Sequence, residues 1–172
     1  MSDHNLQVHH LSHEVFGPYG DVIAAGGASS HLINNGTTRR FHDLANVEAI
    51  GAGSRVLINL FRGEPFEFPV SISMMERHPL GSQAFMPLHD RPWLVVVADD
   101  DNGTPVRPIV FLVTPDESGI RGVNYRANVW HHPLISLQAQ SDFLVVDRGG
   151  EGNNLEEYFF DEPYLISPIA AV

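Results

Sequence analysis

Residues 70–78 read Val-Ser-Ile-Ser-Met-Met-Glu-Arg-His (VSISMMERH). Apolar and polar residues alternate through the first half, which is the period of a half-buried β-strand. Alternate side chains of a strand share a face, so Val70, Ile72 and Met74 form one apolar set, and Ser71, Ser73, Met75 and Arg77 form the other. Carried forward, the apolar set reaches Glu76 and then His78. A regular strand therefore turns a carboxylate and an imidazole inward. Burying them costs free energy unless they are hydrogen-bonded, bind a metal or do chemistry. The competing reading is a strand end at which both pass into solvent. Pro79-Leu80-Gly81 then turns the chain, and Gln83 opens the next run close enough to rejoin the same patch.

Working outward, further strand-like runs occupy residues 55–61, 83–88, 93–98, 107–113, 143–147 and 158–160, with Gly- and Pro-containing turn signals between them. Many short strands at close spacing predict an all-β sandwich or small barrel. Helix is minor: Ser12 is placed to cap a short turn ending at Phe16, closed by Gly17-Pro18, and residues 44–50 are a second helical candidate. No GxGxxG, Walker or GxSxG pattern occurs. The two Asn-Gly-Thr stretches, at residues 35–37 and 102–104, read as turns.

Composition narrows the chemistry. The chain has 172 residues, 43% of them hydrophobic, which suits one domain over residues 1–172 with a real core. No apolar run approaches the ~18–20 residues of a transmembrane helix. The N-terminus lacks a basic segment followed by an apolar one, so a cytoplasmic protein is expected. There is no cysteine, and all ten basic residues are Arg. Disulfides, thiolate ligands and lysine chemistry are thereby excluded. The net charge of −11 repels nucleic acid and anionic membrane surfaces, and neither is expected as a partner.

A second segment, residues 122–134 (GVNYRANVWHHPL), carries an adjacent pair, His131-His132. In a strand such a pair puts one imidazole on each face, so one of the two turns inward. Imidazoles with a carboxylate suit a divalent metal such as Zn, Ni, Fe or Mn. His4, His9, His10, His13, His42 and His89 have no comparable setting and read as surface or loop residues.

These segments resemble a known family. Glu76-Arg77-His78 with Gln83 resembles the first cupin motif, and residues 125–133 resemble the second. More closely, residues 16–23 (FGPYGDVI), 33–36 (INNG), 40–44 (RFHDL), 76–85 (ERHPLGSQAF), 122–134 and 142–150 (DFLVVDRGG) are similar, in family order, to the bacterial ureidoglycolate lyases. The resemblance implies an RmlC-like cupin β-barrel (a double-stranded β-helix) with the pocket inside it, in a homodimer. It further implies base-assisted elimination of ureidoglycolate to glyoxylate and urea in allantoin and purine degradation.

The same resemblance implies the site residues. Glu76, His78, His131 and His132 form the catalytic set, with Glu76 as base and a pocket histidine as acid. Gln83, Asn124, Tyr125, Arg126 and Arg148 are the substrate-binding candidates. Asn124 and Tyr125 are placed to bond the ureido group, and Arg126 or Arg148 to clamp the carboxylate, while Arg77 has outward parity. Glu76, His78, Gln83 and His132 are the metal candidates. Glu76 stands where cupins usually carry their first His, and Gln83 where they carry Glu, so a divalent metal is optional and no organic cofactor is expected. The competing functions are a ureidoglycolate amidohydrolase releasing ammonia and carbon dioxide, a non-enzymatic small-molecule-binding cupin, and a sugar-nucleotide epimerase. Sparse Arg and the acidic charge disfavour the last.

Overall fold

The computed structural model describes residues 4–114 and 119–170. Its strands in chain order are β1 (Asn5–Leu6), β2 (Val8–His10), β3 (Gly20–Ala24), β4 (Ser30–Ile33), β5 (Thr38–Phe41), β6 (Arg55–Gly63), β7 (Val70–Arg77), β8 (Gln83–Pro87) and β9 (Trp93–Ala98). There follow β10 (Asp100–Asp101), β11 (Thr104–Pro105), β12 (Ile109–Val113), β13 (Ile120–Tyr125), β14 (Trp130–His131), β15 (Ile135–Ser136), β16 (Ser141–Gly149) and β17 (Glu156–Ile166). The larger sheet runs β1-β17-β7-β14-β9-β12-β2, with β15 also on β9, and the facing sheet runs β3-β13-β8-β16-β6. Only β1 on β17 and β2 on β12 pair in parallel among these ladders of the described residues. The result is an all-β, barrel-like arrangement of two facing sheets, in line with the sandwich or small barrel that the spacing of short strands predicts.

The helix α1 (His13–Phe16) forms where Ser12 Oγ accepts a bond from the Val15 amide at 3.4 Å. Residues 44–50, expected as a second helix, are not helical. Their amides are taken by distant partners: Asn46 donates to Asp21 Oδ2, Glu48 to Ser82 Oγ and Ile50 to the Leu80 carbonyl. Tertiary bonds thus override a weak local preference.

Two hydrophobic clusters hold the sheets. The first lies between them and includes Phe16, Trp93, Val95, Val97, Phe111, Val123, Tyr125, Phe143 and Val145. The second, on the other face of the larger sheet, includes Val70, Ile72, Met75, Leu94, Val96, Trp130, Ile135 and Ile166. Strand β9 feeds both with alternate residues, which is why its sequence is a continuous apolar run.

Strand β7 departs from the expected alternation. Met75, not Met74, joins Val70 and Ile72 in the second cluster. The phase slips at Ser73-Met74, where β17 carries four residues (160–163) between the partners of Met74 and Ile72. Glu76 therefore reaches the space between the sheets as the neighbour of Met75, on the face opposite Val70 and Ile72.

Candidate active site

Strand pairing builds the site. Glu76 is opposite His131 on β14 and opposite Glu157 on β17. Its Oε1 is 3.6 Å from His131 Nε2 and 3.9 Å from His78 Nε2. His78 follows directly after β7, and its ring centroid is 5.1 Å from that of His131. Tyr125, from the facing sheet, stacks flat on His131 with centroids 4.4 Å apart and planes 11° from parallel.

The hydrogen bonds dictate the tautomers. His131 Nδ1 lies 2.9 Å from the Val129 carbonyl, and His78 Nδ1 lies 2.7 Å from the Asn154 carbonyl. A carbonyl only accepts, so each Nδ1 is the donor and each neutral ring turns a lone pair outward at Nε2. Both Nε2 atoms are buried and have no hydrogen-bond partner among the described residues. Burial holds His131 down at about 3, reinforced by His78, so its ring is neutral at physiological pH. Burial pushes Glu76 above the usual carboxylate range; His78 opposes the shift and Glu157 adds to it. Burial likewise raises the Tyr125 hydroxyl, helped by the charge of Glu76.

One ligand atom from each of Glu76, His78 and His131 lies within 4.8 Å of the others. A carboxylate and two imidazoles with unpartnered lone pairs are a donor set that fits a divalent transition metal. His132, expected among the metal ligands, is not in this group. Its amide donates to the Val96 carbonyl, its Nδ1 lies 2.8 Å from the Pro133 carbonyl, and its ring edge meets Phe66. The adjacent pair splits across the strand, and the register with Glu76 selects His131.

The facing sheet supplies a second polar wall. Val145 and Phe143 of β16 point into the first cluster, so Asp147, two residues on, shares their face. Gln83 is opposite Tyr125, and the register that sets Val146 against Ala84 brings Gln83 beside Asp147. Asn59 Nδ2 donates to Asp147 Oδ1 at 2.9 Å. Burial raises the Asp147 carboxyl, while the Gln83 carboxamide, His78 and Asn59 oppose that shift. Gln83 is 6% exposed, and its Oε1 is buried without a partner among the described residues. Asp147 and Asn59 did not emerge from the sequence, although alternation along residues 143–147 carries the signal for Asp147. A cavity of about 540 Å³ opens beside Gln83 and Glu76, lined also by Phe61, Arg62, Phe66 and Leu134 among others.

Other expected residues lie elsewhere. Asn124 is fully buried and directs its amide to Asp21 Oδ2 and the Asn46 carbonyl. Arg148 is engaged by the carbonyls of Ile50, Gly150 and Glu151. Arg126 is exposed beyond the end of β13. Arg77 pairs with Glu156 and Asp100 and lies 4.4 Å over the Trp130 ring. Arg62, on the cavity rim, forks onto Asp142 at 2.7 and 2.9 Å.

Residues 3–167 match the family profile described as ureidoglycolate lyase. Relatives named ureidoglycolate lyase include one from Rhizobium etli (strain CIAT 652), 57% identical over 96% of this chain and 98% of its own. Others come from Brucella anthropi, 58% identical over 94% of each chain, and Agrobacterium fabrum, 59% identical over 94% of this chain and 95% of the relative. Among solved structures, a dTDP sugar isomerase from Desulfovibrio desulfuricans G20 is similar with a TM-score of 0.46 and 14% identity, over 81% of this chain and 88% of that one.

Proposed function

The chain belongs to the ureidoglycolate lyase family, and on that premise we propose that, as one domain, it splits ureidoglycolate into glyoxylate and urea. The observation that carries the mechanism is the meeting of the Glu76 carboxylate with two acceptor-bearing imidazoles beside a cavity.

The substrate carbon bears a hydroxyl, a carboxylate and a ureido nitrogen. Glu76 takes the hydroxyl proton. As the C=O bond of glyoxylate forms, the C–N bond breaks, and the leaving nitrogen takes a proton to become urea. Burial suits Glu76 to this task, because a carboxylate with a raised pKa is a stronger base near neutral pH. His131 stays neutral and accepts at Nε2, so it orients rather than donates. His78, whose Nδ1 is anchored on Asn154, receives at Nε2 the proton that Glu76 has taken and passes it to the leaving nitrogen. Of the residues lining the cavity among the described ones, Arg62 carries the guanidinium, and we assign it the substrate carboxylate.

Glu76, His78 and His131 would hold a divalent Ni, Zn, Mn or Fe ion. Such an ion supplies Lewis-acid polarisation of a substrate oxygen.

A cytoplasmic homodimer is the assembly proposed. Strand β6 ends its sheet, and Val56, Ile58 and Leu60 on one face are 51%, 73% and 59% exposed. Leu144 of β16 sits directly against Leu60 and extends the apolar surface. A second copy would cover this surface, which otherwise favours aggregation.

The test is to incubate purified protein with each ureidoglycolate enantiomer, with and without chelator, and to quantify urea, glyoxylate and ammonia. Urea with equimolar glyoxylate is expected. Ammonia in place of urea would mean an amidohydrolase, and binding without turnover would mean a non-enzymatic cupin. Chelator sensitivity decides whether the ion takes part.

A further inference from the structure

We propose that Asp147, with Oε1 of Gln83 beside it, is the specificity-determining group that recognises the ureido N–H donors of the substrate. The inference rests on the reaction proposed above and assigns one half of that substrate to the wall facing Glu76.

The argument begins with a count of donors and acceptors. An ionised carboxylate offers about four acceptor positions and no donor. Asn59 Nδ2 fills one at 2.9 Å, and the Gln83 carboxamide turns toward the same group. About two positions remain for a ligand. Gln83 Oε1 adds a buried acceptor with no donor among the described residues. On the Glu76 side, His78 Nε2 and His131 Nε2 also lack a partner among the described residues. The site is rich in acceptors, so a ligand that fits it must bring N–H or O–H groups. Buried polar atoms left unpaired are costly, and a ligand that pairs them gains that energy on binding.

A ureido group meets this need. It is planar, neutral, and presents two parallel N–H bonds on the edge opposite its carbonyl. That edge matches the two oxygens of a carboxylate in the same forked way that a guanidinium does. Asp147 is half-buried on the inner face, continuing the row of Phe143 and Val145, so its free positions face the barrel interior. Asn59 from β6 and Gln83 from β8 flank it on both sides and restrict its rotation. Glu76 acts at the hydroxyl from the opposite sheet, and the stacked pair Tyr125–His131 joins the two walls. The carbon being cleaved then lies between a group that grips nitrogen and a group that takes the oxygen-bound proton.

The experiment uses ureidoacetate, which keeps the ureido and carboxylate groups but has no hydroxyl and cannot be cleaved. Its binding, and that of glyoxylate, is measured by calorimetry on wild-type protein, Asp147→Asn and Gln83→Met. The expected result is a loss of about tenfold or more in ureidoacetate affinity in both variants, from loss of bonds to a charged or buried acceptor, with glyoxylate affinity within about twofold. Unchanged ureidoacetate affinity in Asp147→Asn overturns the inference, and so does an equal loss for both ligands. If that variant does not fold, Gln83→Met decides by the same split. Ureidoacetate binding by a wild-type protein that does not turn over ureidoglycolate would leave this site standing and remove the lyase reading.

Discussion

Glu76 and His131 face each other on adjacent strands, with Oε1 of the one 3.6 Å from Nε2 of the other. The ring proton of His131 points away, to Val129, so the carboxylate is left free to take a proton from a ligand. Glu76→Gln is therefore expected to lower kcat by about 100-fold or more, within the usual range for removing a general base, with a smaller effect on KM. Because burial raises Glu76, the acid limb of wild-type kcat/KM should lie above the ordinary Glu value of ~4.3. A limb at the ordinary value, or wild-type activity in the variant, would remove the base assignment.

Acid should destabilise the protein through His131. Its folded pKa, about 3, is below the ordinary histidine value of 6.5, so the folded state binds fewer protons than the unfolded state as pH falls. The stability it contributes is fully present above 6.5 and is lost progressively down to about 3. Glu76, whose pKa is raised, works in the opposite sense: its contribution is present below the unfolded value and fades as pH rises. Guanidinium midpoints measured across this window should fall with pH in the wild type and fall less steeply in His131→Gln. Equal slopes would argue against the buried neutral ring.

Substitution at the apolar face of β6 should separate the subunits. Ile58 is the most exposed of its row at 73%, and Ile58→Glu places a charge in the centre of the proposed interface. Monomers are expected by sedimentation, with wild-type protein sedimenting as a dimer. A wild-type monomer would end the proposal.

Arg62→Gln should raise KM by about tenfold while kcat changes little, the signature of lost uniform binding to the substrate carboxylate. The exposed pair with Asp142 adds little stability, so the melting temperature should stay close to that of the wild type. A fall in kcat at constant KM would point to a different role.

Much of the fold was legible because short apolar runs and turns alternate along the chain. Residues 93–98 fold with the expected bounds, and Ser12 caps the helix it was expected to cap. Residues 44–50 misled because their amides find partners in other elements, which local preference cannot register. The candidate site was legible in part. Alternation drew attention to Glu76 and His78, although through a set containing Met74 that the slip in β7 breaks. The choice between His131 and His132 needs the pairing of β14 with β7, a long-range fact. Asn59 and Asp147 are 88 positions apart and meet only once β6 lies against β16. Arg148 and Asn124 looked available because the carbonyls and carboxylate they serve belong to other segments.

The slip at Ser73-Met74 divides β7 into two stretches with separate obligations. Val70, Ile72 and Met75 answer to the outer core, and Glu76 and His78 answer to the cluster they form with His131. Substitutions that retune the chemistry can therefore accumulate at the end of this strand without repacking its beginning. A one-residue deletion between the two stretches would exchange a methionine for a carboxylate in the outer core, so selection should preserve the length of this strand more strictly than its composition.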